Sequence, residues 1–61
     1  MTDNWRKAVR YRNHAETLRV MANKTLDEDN RYLLLRATEY YEKTAQTLEH
    51  KAAYEASKNS T

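Results

Sequence analysis

Apolar side chains recur along this chain at the spacing of an α-helix. Two runs share this pattern, with steps of three and four residues that keep the side chains on one helical face. Their members are Ala8, Tyr11, Ala15, Leu18 and Ala22, then Leu34, Ala37, Tyr41, Ala45, Leu48 and Ala52. The runs predict two amphipathic helices, at about residues 3–24 and 27–58, in an all-α fold. With Ala56 included, the second run averages about 3.67 residues per turn, which is typical of a nearly straight helix rather than a heptad seam.

The chain has no glycine and no proline, the two residues that most readily end a helix. Polar residues at 23–30 interrupt the pattern instead, and either of two residues there could cap the second helix. Thr25 with Glu28 forms a capping box, whereas Asp27 places acidic residues in the first turn, where the helix dipole favours them. We prefer Asp27, because it leaves Leu26 free to act as a hydrophobic staple.

A turn without glycine also affects the backbone at the end of the first helix. We expect Asn23 or Lys24 to adopt the left-handed conformation that commonly follows a helix. A connection at about residues 24–27 is short, so the helices form an antiparallel hairpin. Helices of about 33 Å and 48 Å differ by ten residues. We therefore expect the second helix to extend past the start of the first at residues 50–58.

The chain is short for a single domain, which spans residues 1–61. Domains of this size usually need disulfides, a metal or oligomerisation, and this chain has no cysteine. We expect a homodimer of hairpins that forms a four-helix bundle, with an isolated hairpin as the alternative. Other apolar residues flank this apolar stripe on both helices and are available for the surface between hairpins: Trp5, Val9, Met21, Leu26, Leu33, Leu35 and Tyr40.

The sequence contains no pattern of catalytic or metal-binding residues. His14 and His50 lack the partners at three or four residues that helical metal sites use. No cysteine nucleophile or glycine-rich phosphate loop occurs. We therefore expect no enzyme activity, no catalytic residues, no metal and no cofactor. The polar start and the absence of a long apolar run predict no signal peptide, no membrane span and a cytoplasmic protein.

The charges are unevenly distributed along the chain. Residues 1–24 carry six basic and two acidic side chains, whereas residues 25–61 carry five basic and seven acidic ones. The basic side chains of a possible nucleic-acid face are Arg6, Lys7, Arg10 and Lys24. In a dimer this face would occur once on each copy, and both faces could contact phosphates. The simpler interpretation is a solvated surface, with pairs along one helix such as Arg12 with Glu16 and Glu39 with Lys43.

The aromatic residues separate into two groups. Tyr11 and Tyr41 lie on the apolar stripe, where buried rings are expected. Trp5, Tyr32 and Tyr54 point elsewhere and are candidates for a protein-binding surface, because aromatic residues are enriched in interfaces. We therefore expect a non-enzymatic protein that acts through self-association and protein–protein interaction. The alternative is a dimeric RNA- or DNA-binding modulator that uses the basic face of the first helix.

The chain reads YRNHAETLRVMA at 11–22, Asp27 with Arg31 and LLR at 34–36, and EYYEKTA at 39–45. These segments resemble a group of short α-proteobacterial proteins. Those proteins read approximately Y-R-x-x-A-E-x-L-R-x-L-A, then D-P-E-x-R-x-x-L-L, then A-x-x-Y-E-x-L-A. This chain departs from them at Glu28, Thr38 and Thr44. The resemblance implies a bacterial helical hairpin of unknown function, and it carries over no functional residue.

Overall fold

The computed structural model describes residues 3–59 as two packed helices. Helix α1 spans Asp3–Lys24 and helix α2 spans Glu28–Asn59, and the described residues contain no strand. The helices run antiparallel and pack along their length, within an envelope of 52 × 14 × 11 Å. The prediction of an all-α hairpin is confirmed. The ends of the predicted domain, residues 1–2 and 60–61, lie outside the described residues.

Helix α1 ends without a left-handed residue. No residue from 3 to 59 has a positive φ, so the expectation for Asn23 and Lys24 is wrong. The helix closes through a tighter bond instead, in which the Thr25 amide donates to the Ala22 carbonyl at 3.3 Å. The Thr25 hydroxyl donates to the Met21 carbonyl at 2.9 Å. These two bonds satisfy terminal carbonyls that a left-handed cap would otherwise bind.

Asp27 caps the start of α2. Its Oδ1 accepts a bond from the Asp29 amide at 2.9 Å, and its carbonyl accepts the first helical bond from the Arg31 amide at 2.9 Å. The preferred cap is confirmed, but the hydrophobic staple is wrong because Leu26 is 94% exposed. The residue that would complete the staple is Arg31, which has a polar head and donates to the Thr25 carbonyl at 2.8 Å.

Only small side chains are buried between the helices. We call these residues the seam: Ala8, Ala15, Ala22, Thr38, Ala45 and Ala52. On both helices they recur every seven residues, which is the repeat of a supercoiled heptad rather than of the straight helix predicted for α2. Thr38 fits this seam because its hydroxyl donates to the Leu34 carbonyl at 2.8 Å. A seam of small residues allows close approach of the two backbones.

A second stripe lies three residues after or four residues before the seam positions and is half-buried throughout. We call it the half-buried stripe, and its members are Asn4, Tyr11, Leu18, Thr25, Leu34, Tyr41, Leu48 and Glu55. The structure thus divides the predicted apolar stripe into fully buried alanines and half-buried larger residues. Ala37, which the sequence placed on the stripe, is also half-buried, and its neighbour Thr38 occupies the seam.

The register of the two helices places the overhang at the opposite end from the one predicted. Contacts between Asn4 and Glu55 and between Arg12 and Glu49 pair the start of α1 with the last turns of α2. The same register sets Ala22 beside Thr38, so the first two turns of α2 project beyond α1. The eight projecting residues of α2 rise about 12 Å along the axis. The three connecting residues must cover this rise, and their four Cα–Cα steps reach about 13 Å when extended. The connection is therefore extended.

Candidate functional site

One long edge of the seam is closed by ion pairs between the helices. Arg12 donates to Glu49 through Nε at 3.0 Å and Nη2 at 2.7 Å, and Arg19 pairs with Glu42. The hydrogen bond from Arg12 lowers the pKa of Glu49 and raises that of Arg12. Both pairs advance seven residues on each helix, so they hold one register. The charged groups of these pairs line the middle of this ion-paired edge, and Leu35 lies beside Arg19 and Glu42 toward the connection.

These pairs were missed in the sequence, which suggested Arg12 with Glu16 on the same helix. In the structure Arg12 reaches across to Glu49 instead, because its bidentate geometry suits a carboxylate facing it from the other helix. The signal that could have identified the pairs is their spacing. Two arginines seven residues apart in α1 match two glutamates seven residues apart in α2.

The opposite edge carries a cluster of rings around Tyr41. The Tyr41 ring centroid lies 5.5 Å from that of Tyr11 and 5.5 Å from that of His14. Tyr40 packs edge-on against the same ring at 5.7 Å. Such tilted and edge-on contacts are favourable for aromatic pairs. The rings form a continuous surface that joins the two helices on the side away from the ion pairs.

Beside this cluster lies an open groove of about 490 Å³, lined by Lys7, Arg10, Tyr11, His14 and Tyr41. Among the described residues no carboxylate lines it, and neither Lys7 nor Arg10 forms an ion pair there. The groove therefore combines positive charge with aromatic faces.

The structure separates the four basic residues of the predicted nucleic-acid face. Arg6, Lys7 and Arg10 lie within two turns of α1, near the end where the start of α1 meets the last turns of α2, which we call the open end. Lys24 lies at the other end of α1, which we call the loop end, about 26 Å from Lys7 along the axis. The compact part of this face is therefore limited to three residues, of which two line the groove.

The three aromatic residues of the predicted partner surface also lie apart. Trp5 is 46% exposed and Tyr54 is 70% exposed, both near the open end, whereas Tyr32 is 58% exposed at the loop end. Tyr32 contacts Arg36, whose Nη1 donates to the phenol oxygen at 2.9 Å. About 33 Å of helix separates Tyr32 from Tyr54. One compact partner could not contact all three side chains at once.

Among the described residues no three histidine, cysteine, aspartate or glutamate side chains come together in a way that could hold a metal ion. Neither helix combines the length and the apolar character that crossing a membrane requires, over the same residues.

Comparison with known proteins identifies no relative. No family model matches the chain, and searches of curated proteins and of solved structures give no match either. Function must therefore be argued from the surface of the hairpin.

Proposed function

We propose that the protein is a non-enzymatic homodimer, in which two hairpins form a four-helix bundle, and that it acts through self-association and protein–protein interaction. The observation that carries this proposal is the size of the buried residues. Within residues 3–58 no side chain larger than threonine is buried. All the leucines and tyrosines of the hairpin are at least partly exposed.

The total surface supports the same proposal. The chain exposes 5109 Å², whereas a compact monomer of 7.3 kDa is expected to expose about 4,200 Å². The excess of about 900 Å² comes from an elongated shape with only two helices across. One partner of a standard interface buries about 800 Å². A second hairpin would therefore cover about as much surface as this shape exposes in excess.

Sedimentation equilibrium tests the proposal directly. At micromolar concentration we expect a mass of twice the 7.3 kDa of one chain. We also expect the thermal midpoint to rise with protein concentration, because association stabilises the folded state by mass action. A mass of one chain at every concentration, with a midpoint that does not move, would contradict the proposal.

A second candidate function is favoured by the groove alone. Lys7, Arg10 and His14 line it together with the two tyrosine rings, a combination that single-stranded nucleic acids bind through phosphate contacts and base stacking. This candidate retains two of the four basic residues identified in the sequence.

Electrophoretic mobility shift with generic RNA and DNA at low salt tests this candidate. Binding should weaken steeply as salt rises, and Arg10→Glu should weaken it more than Arg36→Glu, which changes charge equally but lies on α2 outside the groove. No shift at tens of micromolar protein would reject nucleic-acid binding. Equal losses for the two variants would move the site away from the groove.

A further inference from the structure

The half-buried stripe is the surface best suited to a second copy of the chain. Its five central residues are apolar or aromatic, namely Tyr11, Leu18, Leu34, Tyr41 and Leu48. Its ends are polar, with Asn4 bonded to Glu55 at 2.6 Å at the open end and Thr25 at the loop end. An apolar centre with a polar rim is the usual anatomy of a protein interface.

The other edge of the seam is unsuited to that role. It carries the pairs of Arg12 with Glu49 and Arg19 with Glu42. Covering them would remove charged groups from water, and their mutual attraction would have to offset that desolvation. The ion-paired edge carries Leu35 beside Arg19 and Glu42 at its loop end, whereas the half-buried stripe offers five large apolar or aromatic side chains to a partner.

Charge along the hairpin distinguishes the two ways in which a second copy can pack on the stripe. At the open end, residues 3–12 and 49–58 carry six basic and three acidic side chains, whereas residues 23–36 at the loop end carry three of each. Lys7 and Arg10 on α1 lie level with Lys51 on α2 at the open end. With both loops at the same end, α2 of one copy would lie beside α1 of the other. Lys51 would then face Lys7 and Arg10, and like charges placed together destabilise an interface.

With loops at opposite ends, each open end lies over the loop end of the other copy. Helix α2 then packs against its own copy in the opposite direction. Lys51 comes beside Ala37 of the second copy, and the basic open end approaches a loop end whose charges balance. The projecting first turns of α2, where Leu33 is 63% exposed, also gain cover from the second copy.

We infer that a second copy packs on the half-buried stripe with its loop at the opposite end, so that α2 crosses its own copy near Thr44. This inference rests on the proposed dimer and adds its interface and direction. The midpoint of α2 falls between Lys43 and Thr44. Ala37 and Lys51 each lie seven residues from Thr44, so Ala37 is about 21 Å from its own counterpart along the axis.

Disulfide formation between introduced cysteines tests the arrangement, since the chain has no cysteine of its own. A disulfide requires Cα atoms within about 7 Å. We expect Thr44→Cys to link to itself in a glutathione redox buffer. A co-refolded mixture of Ala37→Cys and Lys51→Cys should give at least about tenfold more covalent dimer than Ala37→Cys alone.

Two controls separate the ways in which the inference can fail. Glu16→Cys lies by the ion-paired edge, in a shallow groove with Arg12 and Glu42, and should not link to itself. Efficient linkage of Glu16→Cys, with none at Thr44→Cys, would place the interface on the ion-paired edge and contradict the inference.

The alternative arrangement, with both loops at the same end, predicts a different pattern of disulfides. A mixture of Tyr11→Cys and Leu48→Cys leaves every charge in place, and these two stripe residues lie level on the two helices. Efficient linkage between them, with no linkage for Thr44→Cys, would show that both loops lie at the same end. Either result with a dimeric mass overturns only this inference. A mass of one chain by sedimentation equilibrium, with no covalent dimer for any variant, overturns the proposed dimer as well. Far-ultraviolet circular dichroism confirms that each variant remains helical.

Discussion

Replacing Ala45 by leucine tests how closely the two helices approach. Ala45 is fully buried, and the register places it beside Ala15, which is 3% exposed. The next seam residues on α2 lie seven positions away, about 10 Å along the axis. A leucine at position 45 therefore has no space to enter and must push the helices apart. In a loosely packed seam the same leucine would add apolar burial of about 2 kcal/mol and stabilise the hairpin.

The expected loss for Ala45→Leu is about 1–3 kcal/mol, the usual range for overpacking. A chain of this length is stable by only about 3–9 kcal/mol, so the thermal midpoint should fall by about 5–25 °C. Ala53→Leu is the matched control, because Ala53 is exposed on the same helix and leucine has nearly the helix propensity of alanine. Both variants are melted at equal concentration, followed by circular dichroism. A midpoint for Ala45→Leu equal to or above that of Ala53→Leu would refute close packing at the seam.

Three further outcomes follow from local contacts. Asp27→Ala should lower the free energy of unfolding by about 1 kcal/mol through loss of the α2 cap, and urea unfolding should show a smaller loss for Asp29→Ala, which removes no cap side chain. The pKa of Glu49 is lowered in the fold by its bond from Arg12, so its stabilising effect is complete above the ordinary value of 4.5 and is lost as the pH falls through the lowered one. Glu49→Gln should reduce that acid-dependent loss in pH titrations of stability, and an unchanged acid limb would contradict the assignment. Leu26→Ser should leave the thermal midpoint unchanged, because the side chain is 94% exposed; a clear drop would indicate that Leu26 is covered.

The helices and the cap of α2 could be predicted because their causes are local. Apolar spacing depends on residues three and four apart, and the side chain of Asp27 bonds to an amide two residues away. The end of α1 was predicted less well, since the absence of glycine excludes one solution without identifying the one adopted. The bonds from Thr25 to Ala22 and Met21 require no special backbone conformation.

The register could not be predicted from helix lengths, because lengths leave open which end of the longer helix projects. The structure resolves this through the matching of seven-residue repeats on the two helices. Ala8 and Ala15 align with Ala52 and Ala45, and Thr38 continues the repeat on α2. The proteins that this chain resembles have alanine at the position of Thr38, so the sequence comparison marked Thr38 as a difference. Its hydroxyl is satisfied within its own helix, so a threonine occupies the seam without an unpaired polar group.

The seam and the half-buried stripe have opposite effects on whether a single hairpin is stable on its own. Small residues in the seam let the helices approach closely, but they bury little apolar surface per residue. The larger residues that could bury more surface, such as Leu18 and Leu48, lie on the half-buried stripe outside the seam. Ordering the chain opposes folding by about 1.5 kcal/mol per residue whether or not that stripe is covered. Close packing within the hairpin therefore leaves part of the hydrophobic stabilisation to be gained between hairpins, and folding and association are expected to be linked.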